Sequence, residues 1–132
     1  MNIPDKVKIG FKNYEVNMVD GDVTEGNSVC YGVIHFDDGI IDISKKYSRD
    51  MQECSLIHEC VHGIDDIFGI DLSEDQIIKL GKGIYGFIKD NPQLFVKPSN
   101  EIKPNIDVDK LVDNASHKFC EKLREAFNKS FK

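Results

Sequence analysis

His58-Glu59-Cys60-Val61-His62 is an HExxH pattern, and its meaning depends on whether it lies on a helix. On a helix the two histidines, four positions apart, project from one face one turn from each other, a spacing that can grip a single Zn²⁺. Glu59 is rotated by about a quarter turn from that pair. It stands outside the pincer, yet close enough to take a proton from a water on the open side of the metal. The chemistry implied is that of a metal hydrolase.

The residues around the motif have helical periodicity. Between Ser48 and Phe68, Met51, Leu56, Ile57, Val61, Ile64, Ile67 and Phe68 recur at steps of three, four and seven, with no proline and no glycine before Gly63. Ser48 suits the N-cap, and Gly69 suits the left-handed residue that ends a helix. The apolar stripe lies on a different side from His58 and His62, so one flank can pack while the other carries a site. The plain alternative is a pair of solvated histidines beside a charged residue, which the correct helical phase argues against.

A second helix is predicted after the glycine. Ser73 and Gln76 form a capping-box pair, Asp71 and Glu74 offer another, and apolar residues continue from Ile77 to Ile88 before Asn91-Pro92 stops the helix. Glu74, about twelve residues beyond His62, is the candidate third ligand, because a turn back along the first helix brings its carboxylate to the open metal position. Asp75 competes with it. An acidic residue in the first turn of a helix is also favoured by the helix dipole with no metal present, so both readings of Glu74 stay open. Asp65 and Asp66 are candidates to accept the second N–H of a ligating imidazole. Glu74, Ile78, Gly81 and Tyr85 share one helix face, and Tyr85 is either a core aromatic or a donor to a developing oxyanion.

The fold class is α+β: a small antiparallel sheet made of N-terminal strands and a hairpin, then the HExxH helix, a second packed helix and a C-terminal helix. Val7 to Val19 alternates like a bulged strand or two short strands, Thr24 to Ser28 reads as an exposed loop, and Val29–Phe36 with Ile40–Ile43 flank Asp38-Gly39 as a hairpin. His35 in that hairpin reads as a surface or packing residue. Residues 1–92 are expected to form the domain that carries the HExxH site, 93–105 with Pro98 and Pro104 a linker, and 106–132 an amphipathic helix that packs back or pairs with a second copy as a homo-oligomer.

Composition limits the rest. A chain of 132 residues with 40% hydrophobic content makes one modest core. A net charge of −6 argues against gripping a nucleic-acid backbone, and the acidic loop near Asp20 lacks the ordered oxygen ligands of a calcium site. No window resembles a signal peptide or a membrane span, so a soluble cytoplasmic chain without membrane partners is expected. Cys30, Cys54, Cys60 and Cys120 include no CxxC pair, and a disulfide scaffold is not expected. Cys54 lies near the histidine face but too far from His62 to share an ion with it, and Cys60 reads as a small core residue.

The hairpin, HECVHGIDD, the acidic start SEDQ and LGKGIYGFIKDNP together resemble small zincin-like proteins of bacteria and their prophages, near the ImmA/IrrE group of metallopeptidases. The resemblance covers roughly Val7 to Pro92. It implies a minimal zincin-like fold, a zinc cofactor held by His58, His62 and a glutamate on the following helix that maps to Glu74, and Glu59 as general base. Ile77-Ile78 stands where the family usually has an alanine-asparagine pair. A protein or peptide substrate is implied, with a transcriptional regulator the one the resemblance suggests. The rival from another class is a non-catalytic module of the same shape, of phage or prophage origin, that works by binding a partner.

Overall fold

The computed structural model describes residues 1–95 together with Glu121, Lys122 and Glu125, the last three helical and exposed. The C-terminal helix expected over 106–132, apart from those three residues, and most of the expected linker lie outside the described residues. The first compact unit runs from Met1 to Val96. Its elements are β1 (Lys6–Ile9), β2 (Lys12–Val19), β3 (Val23–Glu25), β4 (Ser28–Cys30), β5 (Gly32–His35), β6 (Ile40–Ser44), α1 (Arg49–Phe68) and α2 (Glu74–Asp90). A 3₁₀ turn over Pro92–Leu94 follows.

The sheet is mixed, in the order β1-β2-β6-β5, which corrects the expectation of a purely antiparallel one. Each hairpin, β1-β2 and β5-β6, is antiparallel internally. They meet through their second strands with both hairpins oriented the same way, so β2 and β6 pair in parallel. Local alternation reveals a hairpin but not which of its strands will face a neighbour. β6 thereby becomes an inner strand. The segment expected to be a loop around Thr24 is a second correction, since β3 and β4 form a separate two-stranded ribbon turned at Gly26, with φ of 57°. Their polar residues carry too little alternation to announce a strand.

Cross-strand register decides which side chains share a face. Val16, Ile41 and Ile34 stand opposite one another across three strands, as do Met18, Ile43 and Gly32. Tyr14, Ile41 and Ile43 are fully buried, and with Ile9, Val16, Ile34 and Leu56 of α1 they make the core. Asp42, on the other side of β6, pairs with His35 at 2.9 Å and accepts from Asn17 at 3.3 Å.

Helix α1 packs on this sheet closely because one of its residues is Gly63. A Cβ there would come within 2.6 Å of Ile9 Cδ1 and 3.3 Å of Ile34 Cδ1. The packed side of α1 is Glu53, Ser55, Leu56, Glu59, Val61 and Gly63, whereas Ile64 and Phe68 of the expected apolar stripe are exposed. Gly63 stands where the sheet comes close, and the two buried carboxylates, Glu59 toward the sheet and Glu53 toward α2, are tolerated because each accepts hydrogen bonds. Ser48 caps α1 by accepting from the Met51 N–H, and Gly69 ends it in the left-handed conformation. Ser73 and Gln76 complete a reciprocal capping box on α2. No helix among the described residues is long and apolar enough to cross a membrane.

Two substitutions test this core. Ile41→Ala removes a fully buried side chain from the inner strand and is expected to cost about 2–5 kcal/mol of unfolding free energy. Tyr14→Phe removes a buried hydroxyl that has no hydrogen-bond partner among the described residues, so it is expected to be neutral or stabilising. Chemical denaturation of both variants checks the pair; a large loss in Tyr14→Phe would show that the hydroxyl is satisfied.

Candidate metal centre

Helix α1 places His58 and His62 on one flank, their rings edge to face with centroids 4.9 Å apart. Helix α2 runs back alongside: Glu74 lies by both histidines, Gly81 by His58, and Tyr85 and Lys89 by Asp50 near the start of α1. Glu74 Oε1 is 3.3 Å from His58 Nε2, and Glu74 Oε2 is 3.2 Å from His62 Nε2. One carboxylate therefore stands between two imidazoles. One donor atom from each of the three residues lies within 4.8 Å of the others. Two neutral nitrogens and one carboxylate oxygen are a donor set that zinc accepts, and a fourth position is left for water.

Gly81 sets the distance between the helices at this level. A Cβ there would lie 3.2 Å from the Cα of His58, a backbone atom that cannot swing aside. Burial lowers the basicity of His58, the neighbouring His62 acts in the same direction, and Glu74 opposes both. The neutral imidazole is the form that binds a metal. The histidines are about one-quarter exposed and Glu74 about 60% exposed, so the trio opens to one side.

Glu59 points from the same helix toward the sheet edge. It is buried, and its Oε2 accepts the backbone N–H of Ile34 at 3.1 Å. Burial pushes its carboxyl up to about 8 against the opposing pull of that hydrogen bond. Glu59, both histidines and Glu74 line one cavity of about 550 Å³, walled also by β5 and by Cys54 and Ile78.

The other candidates are placed as follows. Asp75 is turned to Lys79 at 2.8 Å, so of the two neighbouring carboxylates only Glu74 joins the histidines. Asp65 accepts the Leu72 N–H at 2.9 Å and holds the turn between the helices. Asp66 is exposed, and its charge falls on the Tyr14 hydroxyl. Among the described residues neither aspartate accepts from His58 or His62, which corrects the role expected of them. Tyr85 is corrected too: its hydroxyl is committed to Asp50 at 3.0 Å and Glu53 at 3.2 Å, and it does not line the cavity. Cys60 packs against the core, where burial pushes its thiol up to about 11.

Three features escaped the sequence. Glu53 is a buried carboxylate bound by Arg49 at 3.2 Å and by Tyr85, and only the four-residue spacing from Arg49 hints at it. Lys82 lines the cavity, one helical step beyond Ile78 on the face already noted. The Ile34 N–H that holds Glu59 has no sequence signal, because it depends on where β5 ends up.

No family model, curated protein or solved structure matches this chain.

The helix spacing is testable through Gly81. Gly81→Leu is expected to force α2 away from His58 and lower Zn²⁺ affinity by about tenfold or more. Gly83→Ala, which meets open space, is expected to leave it unchanged. Calorimetric titration with Zn²⁺ compares the two; equal affinities would show that the closeness of α2 does not set the site.

Proposed function

We propose that this chain is a zinc-dependent peptidase with a minimal zincin-like architecture. The observation that carries the reading is the position of the Glu74 carboxylate, shared between the Nε2 atoms of His58 and His62. His58, His62 and Glu74 would hold the ion. Bound zinc supplies Lewis acidity, lowering the pKa of water toward neutrality and polarising a peptide carbonyl.

The protein's own residues account for the remainder. Glu59 is the base in its ionised form, which burial delays to about 8 and the charge of a bound cation would favour at lower pH: its carboxylate faces the same cavity, anchored by the Ile34 N–H, and takes a proton from the attacking water on a carboxylate oxygen. It then returns the proton to the nitrogen of the leaving amine. The hydrogen bond from Ile34 fixes the carboxylate's position before substrate arrives, so little orientation is left to achieve during reaction. The cavity of about 550 Å³ has the size of a ligand cleft rather than of a packing defect. The family resemblance makes a regulatory protein, such as a transcriptional regulator, the first substrate to try.

Metal analysis of the purified chain by mass spectrometry is the first test. About one zinc per chain is expected, lost in His58→Ala and in Glu74→Ala. Glu59→Gln is expected to retain zinc and to lose peptide hydrolysis by a factor of roughly 10²–10⁴. A chain that stays metal-free when zinc is supplied would overturn the reading, and full activity in Glu59→Gln would remove Glu59 from its role.

A further inference from the structure

The cavity carries charge that the proposed chemistry leaves unused. Lys82 and Glu25 both line it. Glu74, Ile78 and Lys82 follow one another at steps of four along α2, and all three reach the same cavity. Other lysines of α2 have partners: Lys79 pairs with Asp75 at 2.8 Å and Lys89 with Asp50 at 3.0 Å. Among the described residues Lys82 has no carboxylate within ion-pair distance. Its charge falls instead on Cys54, a half-buried thiol in the same wall. Glu25, whose charge reaches Glu59, gives the other part of the cavity the opposite sign. A carboxylate is therefore favoured beside Cys54 and disfavoured beside Glu59.

The distance to the metal centre limits where that carboxylate belongs on a substrate. Eight positions along α2 separate Lys82 from Glu74, roughly 12 Å of helix. An extended peptide covers that in three or four residues at roughly 3.3 Å each.

We propose that Lys82 is a carboxylate-binding subsite of this cleft, selecting peptides that carry a carboxylate about three residues from the bond to be cut. The inference rests on the peptidase reading and names its substrate class. The carboxylate is either an acidic side chain or a chain terminus, and the experiment separates the two. Lys82 is exposed, so its replacement leaves the core intact.

The test reads affinity, not turnover. The zinc-loaded full chain is titrated with peptide hydroxamates, made in both chain directions, that carry aspartate, asparagine or lysine three residues from the hydroxamate. A further pair ends at that distance in a free carboxylate or a carboxamide. The expected result at low salt is a preference of about fivefold for aspartate over asparagine. It should vanish in Lys82→Gln and turn toward lysine in Lys82→Glu. A gain confined to the free carboxylate supports recognition of a chain terminus; a gain with aspartate supports a side chain. If the native chain binds acid and amide peptides equally, or if both variants keep its preference, the subsite is overturned while the peptidase reading stands. If neither acetohydroxamate nor any peptide binds in the presence of zinc, the metal reading falls and the subsite with it.

Discussion

The site depends on how near α2 can come to α1. At Gly81 the two backbones are separated by little more than van der Waals contact, and any larger residue would have to push His58 aside. That approach brings Glu74, at the very start of α2, between two imidazoles on α1. The same helix is held from the other side, where Gly63 lets it rest on Ile9 and Ile34. α1 is thus fixed between sheet and helix by two glycines on opposite flanks. The donor trio and the Glu59 carboxylate are arranged by this double contact, because one face of α1 meets α2 and another meets β5.

The polar groups along α1 follow the same division. Toward α2, Tyr85 and Lys89 reach Asp50, and Tyr85 also reaches the buried Glu53. Lys89 and Tyr85 hold the Asp50 carboxyl below its ordinary range, so it stays charged and attractive to the lysine. These bonds join the start of α1 to the end of α2, far from the histidines. They oppose sliding of one helix along the other, which would carry Glu74 away from its partners. Toward the sheet, Glu59 is held among the described residues by a single backbone N–H, and a buried carboxylate needs at least that.

Much of the local structure was legible in the sequence, and the reason is that caps and turns are local chemistry. Ser48, Gly69, the Ser73–Gln76 box and the turn at Gly39 each act within a few residues, and each stands where the spacing places it. The pairing of β2 with β6 was not legible, since two hairpins can join through any of their outer strands. Burial on α1 was misread for a related reason. Apolar periodicity marks Ile64 and Phe68 for the interior, but close packing against the sheet favours Gly63 instead. At the site, the nearness of Glu74 to the two histidines was readable from the length of the turn, whereas the roles expected of Asp65 and Tyr85 rested on spacing alone, and these side chains bond to Leu72, Asp50 and Glu53.

The short reversal between the helices, closed by Asp65 on the Leu72 N–H, has a consequence for chain entropy. His62 and Glu74 are about twelve positions apart, while Glu59 and the Ile34 that anchors it are 25 apart. Doubling a loop adds about 0.6 kcal/mol to the entropic cost of closing it. The three candidate metal donors are therefore the less costly part of the site to assemble, and all three stand on the two helices. The proposed base, Glu59, is tied to the sheet. Loosening that strand would release the Glu59 carboxylate from its one anchor on β5, whereas His58, His62 and Glu74 are set by the two helices, so the proposed ion-holding and ion-using groups depend on different parts of the chain.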